Sequence, residues 1–444
     1  MEHTVTESAF ILTDRLLTDL DQLILSPSTT GQRDELAGTA TRLAAMMRAR
    51  GLQVDVLRST GAPIVVGRRS GRSPFTLLIY HRYDTAPTGR WRAWNHEPFQ
   101  LAERHGVLYG RGVADGKGPL VAHLNALSAL TDAEGELPCG VVVVAEGEGL
   151  AGSPSLAAAL ETNRAMLRAD ACLATGGDRD RHGLPLCYSG SKGWLQLRLR
   201  VGGSTTPLLA GYAATVANPL WRLVWALGQI KSDQEEILIG GFYDSIDGPS
   251  RAESKALRAG SVDEAARAAA WQISGFLFQM TGAALVQSEA TLPTINLTAI
   301  EAEPLADPAS IPAAAVARLD FQLVPRQQPH EIAKLLRAHL DDKGLADVTI
   351  EPIVGGYPAS SAVLDHPFLA SVSRAGVAVH GTALTILPRG PNAQPLALFG
   401  DIPAMSVGCA RPDSGIVGPN ERIPLPDLVR HGQLLIEVLY TCGS

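Results

Sequence analysis

Residues 75–85 read FTLLIYHRYDT, a mostly apolar run that turns polar at its end. Such a short, continuous run belongs in a strand covered on both faces rather than in one that is half exposed. At its carboxyl end stand His81 and Asp84, residue types that bind metals, with Arg82 between them. Successive side chains of a strand point to opposite faces, so His81 and Arg82 point opposite ways.

Outward from this stretch the same texture repeats. QVDVL (53–57), PIVVG (63–67), CGVVVVAE (139–146) and ACLAT (171–175) have the composition of strands. Helical stretches fall at 5–26, at 33–50 closing on Gly51, near 117–131 and at 153–168. Alternating strands and helices predict an α/β fold, a mostly parallel sheet with helices on both faces. From Trp194 the pattern changes. WLQLRLRV (194–201) and AAAVARLDFQLV (313–324) alternate with period two, helical runs fall at 217–230, 263–281 and 330–344, and DVTIEPIV (347–354) is a last strand. This is an α+β insertion, after which PAMSVG (403–408) and the helix PDLVRHGQLLIEVLY (426–440) return to the first texture. The division expected is 1–190, 191–352 and 353–444.

Composition excludes several classes. The 444 residues suffice for two or three domains, and 45% hydrophobic with 19% charged residues describes a soluble globular chain. A net charge of −7 with no basic run argues against nucleic acid or an anionic membrane as partner. No run approaches the roughly 18 apolar residues of a membrane span. MEHTVTESAF carries acids where a secretory signal needs a basic start, and the five Cys are odd in number and form no Cys-x-x-Cys pair. Reduced thiols and a cytoplasmic location are the expectation.

The motifs YHRYDT, WNHEPF, LYGRGVADGKG, EGEGLAGS, YSGSKG, VANP, LPTINL, DFQLVP and DSGIVGPNERIPL follow one another along nearly the whole chain. In this order they resemble the di-zinc exopeptidase family of carnosine dipeptidase, carboxypeptidase G, aminoacylase and succinyl-diaminopimelate desuccinylase. The resemblance implies a catalytic α/β domain with an inserted α+β lid and dimerisation domain. It also implies two zinc ions about 3.5–4 Å apart, bridged by a carboxylate, with a separate Glu as general base.

Against that pattern Asp115 matches the bridging carboxylate, but Arg82 stands where the first ligand His would be. Gly149 falls at the general base, and Leu150, Gly176 and Val417 fall at ligand positions. Leu208, Leu209 and Ala210 align with the lid's His-Ser-Gly, and Gln322 with its carboxylate-binding arginine. Leu, Val and Gly offer no lone pair to zinc, so no metal cofactor is expected. Arg82 is expected to neutralise Asp115 or Asp84 in its place. The helix start at 149–153, stripped of acids, becomes a candidate anion site. Gly147, Gly149 and Gly152 also spell a dinucleotide fingerprint, but ACLATGG lacks the acidic residue that should follow, so no nucleotide cofactor is expected.

The candidate catalytic groups are His81, Asp84, Asp115, Glu146 and Glu148; the candidate substrate-binding residues are Arg82, Lys117, Gly149, Gly152, Ser153, Lys192 and Gln322. Each has a plain structural alternative. His81 can cap a strand end, Asp84 can anchor a loop, Asp115 can pair with Lys117, and Lys192 can simply pack. The first functional reading is a metal-independent enzyme of specialised metabolism. It would use acid–base chemistry (cyclisation, isomerisation, dehydration, or acyl or amide transfer) on an amino-acid- or peptide-like carboxylate. Two others stand beside it: a non-catalytic partner or binding protein, and a zinc dipeptidase with displaced ligands. A homodimer through the lid is the protein partner implied by the resemblance.

Overall fold

The strand that contains this apolar run extends from Gly71 to Arg82 and lies inside an eight-stranded sheet. A computed structural model describes residues 5–304, 309–352, 355–361 and 363–444, with the backbone alone for 5–12 and 352. Residues 1–4 of the N-terminal stretch and 353–354 of the last expected strand lie outside the described residues. The Gly71–Arg82 strand pairs in parallel with Leu137–Glu146 on one side and Ala171–Thr175 on the other. Ala404–Val407 continues the parallel run beyond Ala171–Thr175. Antiparallel pairings appear toward the edges, where Gln53–Leu57 meets Ile64–Arg69, Ile64–Arg69 meets Leu137–Glu146, and Ala404–Val407 meets Cys187–Tyr188.

Both faces are covered. Leu77, Ile79, Val141 and Val143 join the core made with the helices Val5–Ile24, Arg33–Arg48, Lys117–Glu134, Pro367–His380 and Leu425–Gly443. Leu78, Tyr80, Val142 and Val144 face the other way, onto Leu156, Leu160 and Leu396. Each such aliphatic side chain contributes about 1.5–3 kcal/mol on burial. The helix expected over 153–168 is shorter, Leu156–Thr162. The one expected over 263–281 stops at Trp271, because Gln272 adopts a left-handed conformation, φ 55°.

The insertion builds a second, four-stranded antiparallel sheet from Thr294–Glu303, Ala314–Leu323, Gly193–Gly202 and Val348–Pro352. Helices Pro219–Ile230 and Pro329–Asp342 cover it with a core of their own, including Leu223, Leu319, Phe321 and Leu336. A further cluster joins Leu257, Leu285 and Val286 of the insertion to Tyr188 and Leu387 at the edge of the large sheet. We retain 1–190, 191–352 and 353–444 as the proposed division. The five cysteines are unpaired, and no described helix is long and apolar enough to cross a membrane.

Strand alternation sends His81 into the helical face with Ile79. There its Nε2 meets His123 Nδ1 at 3.1 Å, and His123 stacks on His431 with ring centroids 4.4 Å apart. Burial pushes His81 and His431 down to about 3, and holds His123 well below its ordinary value. Between that value and the ordinary 6.5, the unfolded chain binds protons that the folded chain refuses, so these groups cost stability as pH falls. The buried carboxyls of Glu146 and Glu421, raised to about 8 and about 7, act in the opposite sense. A difference between variants therefore isolates the histidines. Between pH 7 and pH 5, His431→Leu is expected to lose about 2 kcal/mol less unfolding free energy than the parent protein, measured by urea denaturation. Parallel profiles for the two proteins would contradict a neutral buried cluster.

Candidate functional site

The strands Gly71–Arg82, Leu137–Glu146, Ala171–Thr175 and Ala404–Val407 all end at the same edge of the large sheet, where open α/β folds bind ligands. A cleft of about 1190 Å³ opens there. Its floor carries Tyr80, Arg82, Asp115, Gly149 and Gly176, and the insertion contributes Trp194, Arg267, Trp271, Asp320 and Gln322 to its walls.

Arg82 organises the floor. Its Nη2 donates to Asp115 Oδ2, and its Nη1 donates to the Asp84 carbonyl at 3.0 Å and lies 3.8 Å from Asp84 Oδ1. Burial opposes the guanidinium's charge, but Asp115 and Asp84 outweigh it and raise its pKa. Asp84 is fully buried; its Oδ2 accepts from the Leu150 N–H at 2.9 Å and from Thr30 Oγ1 at 3.1 Å. Burial raises the pKa of this carboxyl despite Arg82. Gly149 makes room for the arginine, since a Cβ there would come within 2.8 Å of Arg82 Cδ.

Asp115 is held by its loop. The Glu421 carboxylate accepts the N–H groups of Gly112 at 2.9 Å, Ala114 at 2.9 Å and Asp115 at 3.2 Å, and pairs with buried Arg111 at 3.0 Å. Lys117 lies outside this pairing; its buried Nζ donates to the Ser26 carbonyl at 2.7 Å, and burial lowers its pKa to about 7.

Behind the floor, Glu146 accepts from the Tyr80 hydroxyl and from Ser153 Oγ at 2.7 Å, both on Oε1. Its Oε2 has no hydrogen-bond partner, and burial first of all pushes its pKa up to about 8, so the carboxyl carries a proton at neutral pH. Tyr80, on the same strand face as Arg82, links this acid to the cleft.

The remaining candidates are dispersed. His81 bonds to His123 and, through Nδ1, to Thr175 Oγ1 at 3.2 Å, beneath the floor rather than on it. Glu148 reaches toward Gly61, where a Cβ would collide with its carboxylate. Gly152 has φ +81° and leaves space for the Trp194 ring. Lys192 is buried and donates to the Leu292 carbonyl at 2.8 Å. Gln322 lines the cleft, donating to Asp320 Oδ1 at 2.7 Å and accepting from the Ala393 N–H at 3.0 Å. Tyr80, Asp320, Arg411 and Glu421 have no place among the residues singled out by sequence. Tyr80, Asp320 and Glu421 lie in the quoted motifs YHRYDT, DFQLVP and DSGIVGPNERIPL, whereas Arg411 lies in none.

The model of peptidase family M20/M25/M40 matches residues 78–441. Human β-Ala-His dipeptidase is 25% identical over 382 residues, 82% of this chain and 75% of that protein. The Cys-Gly metallodipeptidase DUG1 of Saccharomyces cerevisiae is 28% identical over 298 residues, 63% of this chain and 60% of its own length. Among solved structures, the metallo-carboxypeptidase Sso-CP2 of Sulfolobus solfataricus superposes with a TM-score of 0.89 at 26% identity, covering 97% of this chain and 99% of that one.

These relatives correct one expectation. A metallodipeptidase and a metallo-carboxypeptidase among them overturn the reading that no metal cofactor is involved; a metal is what this kinship implies. The side chains at the cleft floor do not fit one as they stand. Among the described residues no group of three or more His, Cys, Asp or Glu side chains is placed to hold a metal ion. Asp115 is engaged by Arg82, and Asp84 offers one unpartnered oxygen, Oδ1. Stable sites for such metals use three or four ligands, so no chemical step is derived through a metal here.

Proposed function

The chain belongs to peptidase family M20/M25/M40, and from that membership we propose that its cleft takes a dipeptide-sized substrate whose amide lies over the Arg82–Asp115 pair. The observation that carries this reading is the position of Arg82: a guanidinium at the floor of the cleft, neutralised by Asp115 and still 19% exposed. Such a group can donate to a carbonyl or carboxylate oxygen without leaving its partner. The cleft volume of about 1190 Å³ accommodates a ligand of this size. The named substrates of relatives, β-Ala-His and Cys-Gly, are dipeptides.

Two groups supply acid–base capacity. Glu146 holds a proton near neutral pH, and the Tyr80 hydroxyl lies between it and the cleft. The protonated Glu146 and the Tyr80 hydroxyl that bonds to it form a proton store behind the cleft floor, the kind of group that acid–base chemistry on a bound amide requires. The metal-bearing relatives favour a competing reading, a dipeptidase whose metal ligands are displaced from the family positions. Turnover of Cys-Gly and β-Ala-His, followed by NMR with the metal content of the same preparation measured and with zinc added or chelated, separates the two. The Arg82-centred reading expects substrate affinity to fall at least ten-fold in the Arg82→Met, Asp115→Asn double variant. Unchanged affinity in that variant contradicts it.

A second copy of the chain is the proposed partner. On Pro219–Ile230, Trp221, Val224 and Trp225 stand exposed on the face opposite buried Leu223, Ala226 and Ile230. The two indoles stack with centroids 6.5 Å apart. An exposed aromatic stripe of this kind is characteristic of an interface core. Light scattering at micromolar protein is expected to give twice the chain mass, and the chain mass alone for Trp221→Glu, Trp225→Glu. A monomeric parent protein contradicts the homodimer.

A further inference from the structure

One acid in the cleft wall lacks a charged partner, and one arginine there shares its partner with two others. Asp320, on Ala314–Leu323, accepts from the Trp194 indole N–H and from Gln322 Nε2, both neutral donors. No Lys, Arg or His pairs with it among the described residues, although it lines the cleft. Such a carboxylate is positioned by its neighbours but not neutralised by them.

The opposite imbalance lies in the loop after Ala404–Val407. Arg411 lines the cleft and donates through Nε to Asp427 Oδ2 at 2.5 Å. The same buried carboxylate lies 3.1 Å from Arg179 Nη2 and 3.6 Å from Arg430 Nη1. Three guanidinium groups thus share one carboxylate. Nearby Asp413 is paired with Arg422 at 3.0 Å, and burial lowers the pKa of both His380 and His431, so neither changes the balance at neutral pH. The Arg411 Nη groups have no partner among the described residues. A fork with one edge anchored and the other open is suited to bidentate capture of a carboxylate.

We infer that Asp320 and Arg411 are the two poles of a zwitterion site, Asp320 receiving a peptide's ammonium group and Arg411 its terminal carboxylate. This rests on the peptide reading above and adds to it a requirement for both free termini. Both poles become paired when such a ligand fills the cleft, and a capped peptide leaves one of them uncompensated.

The test uses Cys-Gly and β-Ala-His, each in free, N-acetylated and C-terminally amidated form, titrated calorimetrically into the full chain. The free form is expected to bind at least ten-fold more tightly than either capped form. Arg411→Gln should lower affinity for the free peptide to that of the amide while leaving the amide unaffected. Asp320→Asn should do the same with respect to the N-acetyl form. Arg411→Lys, which keeps a charge against Asp427 but loses the fork, serves if the glutamine variant does not fold; an intermediate loss confined to peptides with a free carboxylate is expected. Equal binding of free and capped forms, or variants that weaken all forms alike, overturns the two-pole assignment and leaves the peptide reading standing. Failure of every form to bind the parent protein removes the peptide reading, and the poles with it.

Discussion

A single guanidinium sets the character of this site. Arg82 sits at the carboxyl end of a strand buried from Leu77 to His81, bonded to Asp115 and to the backbone of Asp84, and the surrounding elements are arranged around that charge. Asp84 is fixed by the Leu150 N–H and Thr30, and Gly149 leaves the space that the arginine fills. Asp115 reaches it because Glu421, more than three hundred residues away in sequence, gathers the N–H groups of the Gly112–Asp115 loop while neutralised by Arg111. A charged group buried to this degree persists only where its partners are themselves held.

The geometry of the strand separates two chemistries that lie side by side in sequence. Tyr80 and Arg82 face the cleft side, where Glu146 and Asp115 meet them. His81 faces the helices, where it joins two further histidines, all kept neutral by burial. Proximity in sequence to Arg82 therefore gives His81 no proximity to the cleft; its link to the floor is the hydrogen bond to Thr175.

Much of the fold was legible because hydrophobic periodicity is local. The apolar runs at 75–80 and 139–146 lie in buried parallel strands, and the alternation at 194–201 lies in a strand of the antiparallel insertion. Two-residue strands such as Cys187–Tyr188, and the break in the helix at Gln272, carry no such periodic signal. The family pattern together with charge balance led to the expectation that Arg82 would neutralise Asp115 or Asp84, and it bonds to Asp115. Asp320 and Arg411 were not legible, because the first is distinguished by having no charged partner and the second by sharing Asp427 with Arg179 and Arg430, and both emerge only when distant strands and loops converge. The metal was misjudged for a different reason: ligand positions were compared with a family pattern, whereas the relatives themselves are metallopeptidases.

The most direct measurement of this account is a crystal structure of the purified protein at a resolution that defines the Arg82 side chain, with anomalous data recorded at the zinc edge. The account predicts the guanidinium bonded to Asp115 and to the Asp84 carbonyl, over Gly149. A guanidinium turned away from both residues, with another cation seated between the two carboxylates, would contradict it.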